Sequence, residues 1–206
     1  MKRKALLCAL PLLLLVALTS TASAFIPKQR CIASLDIGFN AMMNASKSIA
    51  FVNEFRYAPH LHLQIVRFAC QIWRGLEIGG GIGINVMDRL NVGAIGNTIT
   101  MAKFDVGAEY YFGVFQSGPH QLFVVPGLRL GTYVAGASGS FKTQAGMLIT
   151  ILARLSYILN DHYEFRFTPL MFELLPAFTK AWRDQWKGGG VYNYSFLFGF
   201  GYRFSI

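Results

Sequence analysis

Ten charged residues are the candidates for chemistry in this chain. Each lies in a segment where polar and apolar residues alternate. Side chains of a β-strand point to opposite faces in turn, so such a segment gathers its charges on one face. The acids are Asp36, Glu77, Asp105, Glu109 and Glu164, and the bases are Lys103, Arg129, Arg154, Arg166 and Arg203. An unpaired charge between closely packed strands is unfavourable, so this balanced set predicts a network of ion pairs. We interpret it as structural packing; a path for protons or a solute is the alternative.

Eight segments show this alternation and predict the β-strands that hold the charges. They are residues 31–41, 61–72, 76–86, 99–112, 121–135, 146–159, 163–172 and 192–204. In the last segment every even position from Tyr192 to Phe204 is aromatic, whereas the odd positions are small or polar apart from Leu197. A change of phase at Val66 predicts a β-bulge, with a helical segment as the alternative. Pro126 lacks a backbone donor and predicts a local break in strand pairing.

Residues 1–24 have the organisation of a secretory signal peptide. The basic start Lys2-Arg3-Lys4 precedes an apolar stretch over residues 5–18, and the small residues Ala22-Ser23-Ala24 form a cleavage site. We expect export through the Sec pathway and cleavage before Phe25, which leaves residues 25–206 as one domain. An uncleaved anchor helix is the alternative.

The composition narrows the class of protein. The net charge of +9 falls to +6 without the three basic residues of the signal, and no run of Lys and Arg suggests nucleic acid as a partner. The mean hydropathy of +0.40 is high. Yet past the signal no charge-free stretch reaches the roughly 18 residues of a transmembrane helix. These features together predict a transmembrane β-barrel in the outer membrane of a diderm bacterium.

The predicted fold class is all-β: an eight-stranded antiparallel barrel with an up-and-down meander. The connections after strands two, four and six are short and the others are longer, which is typical of periplasmic turns and exposed surface loops. The apolar face of each strand would contact membrane lipid. Aromatic residues near the two ends of the last strand predict interfacial girdles: Tyr192, Tyr194, Tyr202 and Phe204.

Cys31 and Cys70 would lie opposite each other if the first long connection is centred near residue 50. Either a disulfide or two free lipid-facing thiols is expected. The histidines lack the spacing of metal ligands, so we expect neither a metal site nor a cofactor.

A lipid-modifying enzyme would need a serine, a histidine and a carboxylate at one rim. Ser46 or Ser48, His60 and Glu54 could meet in the first long connection, but their spacing carries no signature. We therefore do not expect an enzyme.

The connection between strands seven and eight is the richest candidate for contact with a partner. It contains Trp182, Arg183 and Trp186, and tryptophan and arginine are common anchors of protein interfaces. Insertion of the tryptophans at the membrane rim is the alternative.

The ending Gly199-Phe200-Gly201-Tyr202-Arg203-Phe204 resembles that of the small outer-membrane barrels of the OmpW/OmpX type. The resemblance implies insertion by the barrel-assembly machinery. The OmpW side implies a narrow channel or a conduit for small hydrophobic molecules, and this is the function that we expect. The OmpX side implies a closed barrel whose surface loops contact a host or the environment; the charged inner face keeps this as the alternative.

Overall fold

Alternating side chains determine the secondary structure of this chain. The structure is a computed structural model that describes residues 25–44, 60–88, 98–137, 144–175 and 191–206. The strands are β1 (Cys31–Asn44), β2 (His60–Trp73), β3 (Leu76–Asp88), β4 (Thr98–Tyr110), β5 (Phe112–Ser117), β6 (His120–Ala137), β7 (Gln144–Leu159), β8 (Tyr163–Leu175) and β9 (Val191–Phe204).

The strands form one closed antiparallel sheet. Consecutive strands pair with each other except β4 and β5, and β1 pairs with β9 from Cys31 opposite Phe204 onwards, which closes the sheet. Both β4 and β5 pair with β6, one after the other, so they share one position in the ring. The result is an eight-stranded barrel with meander order, which confirms the predicted fold class.

The break between β4 and β5 lies opposite Pro126. Pairing of β4 with β6 ends at Glu109, and pairing of β5 with β6 begins at Phe112. Proline has no N–H to donate to the neighbouring strand, so the ladder is interrupted there. The predicted local break is confirmed.

The connection predicted over residues 113–120 is shorter in the structure, so its predicted bounds are wrong. Strand β5 continues to Ser117, and its hairpin with β6 turns at Gly118 and Pro119. Gly118 has a φ of 56°, a left-handed conformation that glycine adopts without steric cost.

Two bulges change the phase of alternation in the middle of long strands. The register of β2 shifts between Gln64 and Val66, so the consecutive residues Ile65 and Val66 are both exposed on the outer face. This confirms the predicted bulge and rules out the helical alternative. A second irregularity in β8, between Thr168 and Met171, was not anticipated. It turns Met171 inward, where it is buried, although its alternation with the preceding aromatics predicted the outer face.

The two faces of the barrel have opposite character. Large apolar side chains such as those of Phe39, Phe104 and Ile151 are about half exposed on the outside, and charged side chains are buried inside. This is the reverse of a water-soluble protein and fits a barrel whose outer surface meets lipid. Among the residues that the structure describes, no helix has the length and apolarity needed to cross a bilayer.

The barrel has two distinct ends. One end carries Cys31, Phe204 and the short turns, and we call it the terminal end. The opposite end carries the four longer connections, over residues 45–59, 89–97, 138–143 and 176–190, and we call it the loop end.

A disulfide bond joins Cys31 of β1 to Cys70 of β2 close to the terminal end. The two residues are direct cross-strand partners, with their Cα atoms 4.0 Å apart. Cys31 is buried and Cys70 is half-buried, so neither presents a freely exposed thiol to lipid.

We predict that exported protein, denatured and alkylated without reductant, keeps its unmodified mass, because both sulfur atoms are bonded. Reduction before alkylation should add two alkyl groups. In the Cys31→Ser variant Cys70 has no partner and should react without reductant, which serves as the control. Mass spectrometry that detects two adducts on unreduced wild-type protein would contradict the bond.

Candidate functional site in the barrel interior

Buried charges line the inner face of the barrel. All ten charged residues expected there are buried, and none is more than 4% exposed. Among the described residues, Arg67 and Glu173 are also charged and buried, so six acids face six bases. The interior is therefore balanced in charge, as the sequence predicted, with one further residue of each sign.

The sequence pattern could have predicted one of these two additional charges but not the other. Arg67 shares the inner face of β2 with Ala69, and the alternation after the bulge was a usable signal. Glu173 lies beyond the irregularity in β8, so extending the phase of the preceding residues would have placed it outside.

The central cluster is built around one carboxylate and consists of Arg67, Asp105, Glu109, Arg129 and Arg154. Arg129 donates to Glu109 Oε1 from Nε at 2.9 Å and from Nη2 at 2.6 Å. Arg67 Nη2 lies 2.8 Å from the same oxygen, and Arg154 donates to Oε2. Glu109 thus contacts three guanidinium groups. Asp105, 3.7 Å from Arg129 Nη1, supplies part of the compensating negative charge.

The terminal cluster lies next towards the terminal end and consists of Glu77, Tyr111, Ser156, Glu164 and Arg203. Arg203 donates to both Glu77 and Glu164. Tyr111 Oη and Ser156 Oγ also donate to Glu164, at 3.0 and 2.5 Å. The guanidinium carbon of Arg203 lies 4.9 Å from the ring centre of Tyr111, within cation–π range.

Contacts of Arg154 and Arg166 join the two clusters and extend them to Asp36 and Ser34. Arg154 Nη2 donates to Tyr111 Oη at 3.2 Å, which links the central and terminal clusters. Arg166 lies 3.3 Å from Asp36 and 3.9 Å from Glu164, and it also donates to Ser34 Oγ. Ten of the twelve buried charges therefore form one connected network, and Lys103 pairs with Glu173 in a third cluster.

The loop-end cluster consists of His62, Lys103, Glu173, Asn193 and Ser195. Lys103 Nζ donates to Glu173 Oε1 at 2.5 Å and lies 3.0 Å from His62 Nε2. Asn193 Nδ2 donates to the other oxygen of Glu173. His62 Nδ1 lies 2.9 Å from Ser195 Oγ. His62 and Ser195 were not anticipated as a pair, because 133 residues separate them in sequence.

The direction of the hydrogen bonds in this cluster determines whether His62 can act as a base. An ammonium group only donates, so His62 Nε2 accepts from Lys103 and the ring proton is assigned to Nδ1. Nδ1 then donates to Ser195 Oγ. A general base must instead accept the serine proton. This arrangement fixes the imidazole as a structural donor and does not activate Ser195.

Glycines on the inner face leave space for the long charged side chains. A Cβ atom at Gly127 would lie 2.7 Å from Cγ of Glu109, and one at Gly199 would overlap the carboxylate of Asp36. These side chains could not keep their positions beside a larger residue. Glycine at these positions is therefore required by the site.

Apolar side chains complete the filling of the barrel. Tyr111, Phe123, Val125 and Ile158 form a buried cluster at the terminal end. A second cluster, of Leu152, Met171 and Leu197, lies on the β7–β9 wall between the central and loop-end clusters. Arg67, Arg129 and Arg203 are among the largest fully buried side chains of the described residues. Water in a continuous pore would leave such groups exposed, so the interior is closed at their levels.

The remaining expected residues divide between described and undescribed parts of the chain. Tyr192 and Tyr202 are exposed on the outer face, and Tyr194 and Phe204 are half-buried there. Ser46, Ser48, Glu54, Trp182, Arg183 and Trp186 lie outside the described residues. Within the described ranges, no three His, Cys, Asp or Glu residues are grouped to hold a metal ion.

No protein-family model and no curated protein matches the sequence. The structure is similar to Neisserial surface protein A, with a TM-score of 0.57 and 11% identity over 84% of this chain and 97% of that one. Weaker likenesses include OprG from Pseudomonas aeruginosa (TM-score 0.47, 12% identity, 88% of this chain and 100% of that one). Another is Ail of Yersinia pestis (TM-score 0.46, 11% identity, 85% and 99%). The first likeness shows that the fold is that of small eight-stranded outer-membrane barrels, as the OmpW/OmpX resemblance implied.

Proposed function

We propose that this chain is a closed outer-membrane barrel that acts through the connections at its loop end. The observation that carries the proposal is the interior: six acids and six bases, all buried among the described residues, fill the space where a solute would pass. The barrel is then a rigid support in the membrane, and recognition belongs to the surface.

The packed interior argues against the narrow channel or hydrophobic conduit that the OmpW-like ending implied. A conduit for an apolar molecule needs an accessible apolar lumen. Here such a molecule would have to separate ion pairs, for example those between Glu109 and its three arginines, and leave charges unpaired. This favours the closed OmpX-type alternative.

The orientation follows from the two ends. We place the terminal end, with its short turns, in the periplasm and the loop end at the cell surface. The exposed apolar residues contact membrane lipid, and the barrel-assembly machinery inserts the chain after export through the Sec pathway and removal of residues 1–24.

The distribution of charge suggests which partners the loop end would take. The four longer connections contain seven basic and two acidic residues, whereas the rest of residues 25–206 contains nine basic and eight acidic residues. Nearly all the net positive charge therefore lies in these connections, and three of the seven bases are in the 176–190 connection with Trp182 and Trp186. This supports anionic surface components, carrying sulfate or phosphate groups, as the partner class.

We predict that the purified barrel gives no single-channel steps in planar lipid bilayers, because its interior is closed by buried side chains. A general porin reconstituted in the same bilayers is the control for insertion and recording. Reproducible conductance steps that scale with the amount of barrel protein would favour the conduit function instead.

We predict that Arg154→Met destabilises the barrel by about 3 kcal/mol or more, because it leaves one buried negative charge uncompensated. Urea unfolding in lipid vesicles, followed by the heat-modifiable gel shift, measures the change. Leu155→Met on the lipid-facing side of the same strand is the matched control and should change stability by no more than about 0.5 kcal/mol. Equal stability of the two variants would show that the ion network is not a constraint on the fold.

We predict that Lys180→Gln/Lys187→Gln lowers the salt concentration at which the protein elutes from immobilised heparin, because two charges of the loop end are lost. The matched control is Arg30→Gln/Arg74→Gln, which removes two exposed charges from the terminal end and should elute like wild type. An equal shift for both variants would assign the binding to net charge rather than to the loop end.

A further inference from the structure

The segment before the first strand crosses the open terminal end of the barrel. In a ring of eight strand positions, β1 and β6 stand opposite each other. Strand β1 begins at Cys31, yet the ring of Phe25 packs against Phe123 of β6, with their centres 5.0 Å apart. Residues 25–30 therefore span the mouth from one wall to the other.

Several contacts hold this segment along its course. Lys28 Nζ forms a salt bridge of 2.8 Å with Asp161 in the turn before β8. The carbonyl of Gln29 accepts from Arg203 Nη2 at 3.3 Å, and the carbonyl of Arg30 accepts from the backbone of Gln71 at 2.6 Å. Pro27, at the middle of the segment, is buried. The segment is thus fixed to three different strands or turns.

The ring of Phe25, at the far end of the segment, fills a space over Gly113 and beside Phe123, which we call the seat. Gly113 lies on the inner face of β5, and a Cβ atom there would be 2.7 to 2.9 Å from three ring carbons of Phe25. Phe123 packs against one side of the ring and belongs to the buried cluster with Tyr111, Val125 and Ile158. The absence of a side chain at position 113 is what leaves room for an aromatic ring.

We propose that residues 25–30 are a plug for the terminal mouth, and that the seat over Gly113 is a binding site for one aromatic ring, which Phe25 occupies. The plug lies over the terminal cluster, where Glu164 and Arg203 are fully buried. Release of Phe25 would admit water to these groups, whereas the central cluster stays closed behind them. This inference concerns the opposite end of the barrel and does not depend on the proposed function.

Hydrogen exchange of the arginine side chains, measured by NMR on the exported protein in micelles, tests the plug. Gly113→Leu should expel the Phe25 ring and speed exchange of the Arg203 guanidinium protons by at least about tenfold, because buried groups exchange only when they open to water. The protons of Arg129, in the central cluster, should keep their wild-type rate and report the integrity of the barrel. Val114→Leu, on the outer face of the same strand, is the matched control and should leave both rates unchanged.

Phe25→Ala provides a second route, because it empties the seat without crowding it and covers the case in which Gly113→Leu does not fold. It should also speed exchange at Arg203 and not at Arg129. Wild-type exchange at Arg203 in a folded Phe25→Ala protein would overturn the plug. Equal acceleration at both arginines would also overturn it, since the segment would then stabilise the whole barrel rather than close one end.

Discussion

A charge inside an eight-stranded barrel must find a partner within the barrel, since the ring leaves room for side chains and little else. This constraint organises the interior: Glu109 contacts three guanidinium groups, and Arg203 contacts two carboxylates. Glu109 and Arg203 therefore each serve more than one partner, so the central and terminal clusters are not balanced separately. Six acids and six bases balance when all the buried charges are counted together. Replacement of one charged residue by a neutral one leaves an uncompensated charge that interacts with several neighbouring groups.

The surroundings of the network are as important as its charges. Electrostatic attraction is strongest where water is excluded. Apolar side chains provide that exclusion: the Tyr111 cluster with Phe25 at the terminal end, and the Leu152 cluster further along. Glycines such as Gly127 allow the long side chains to pass one another without overlap. Charges, apolar layers and glycines thus depend on one another.

Alternation along single strands predicted the strands, their two faces and ten of the twelve buried charges, and the barrel followed when the signal sequence and the hydropathy were added. It failed where the phase changes within a strand, as at the β8 irregularity that turns Met171 and Glu173 inward. It could not say which charges pair. Arg203 and Glu77 are 126 residues apart, and their contact depends on the closure and stagger of the whole ring. The plug could not be predicted from the sequence either, because residues 25–30 show no periodic pattern of polar and apolar residues.

The same constraint supports the proposal that recognition belongs outside the barrel wall. Because the interior acids and bases neutralise one another, they offer no net charge to a partner. The lipid-facing surface is apolar and roughly uniform around the ring, so it distinguishes membrane from water but not one partner from another. The positive charge that remains is concentrated in the longer connections. On this proposal, a barrel whose interior charges pair with one another is specific through the segments that leave the sheet.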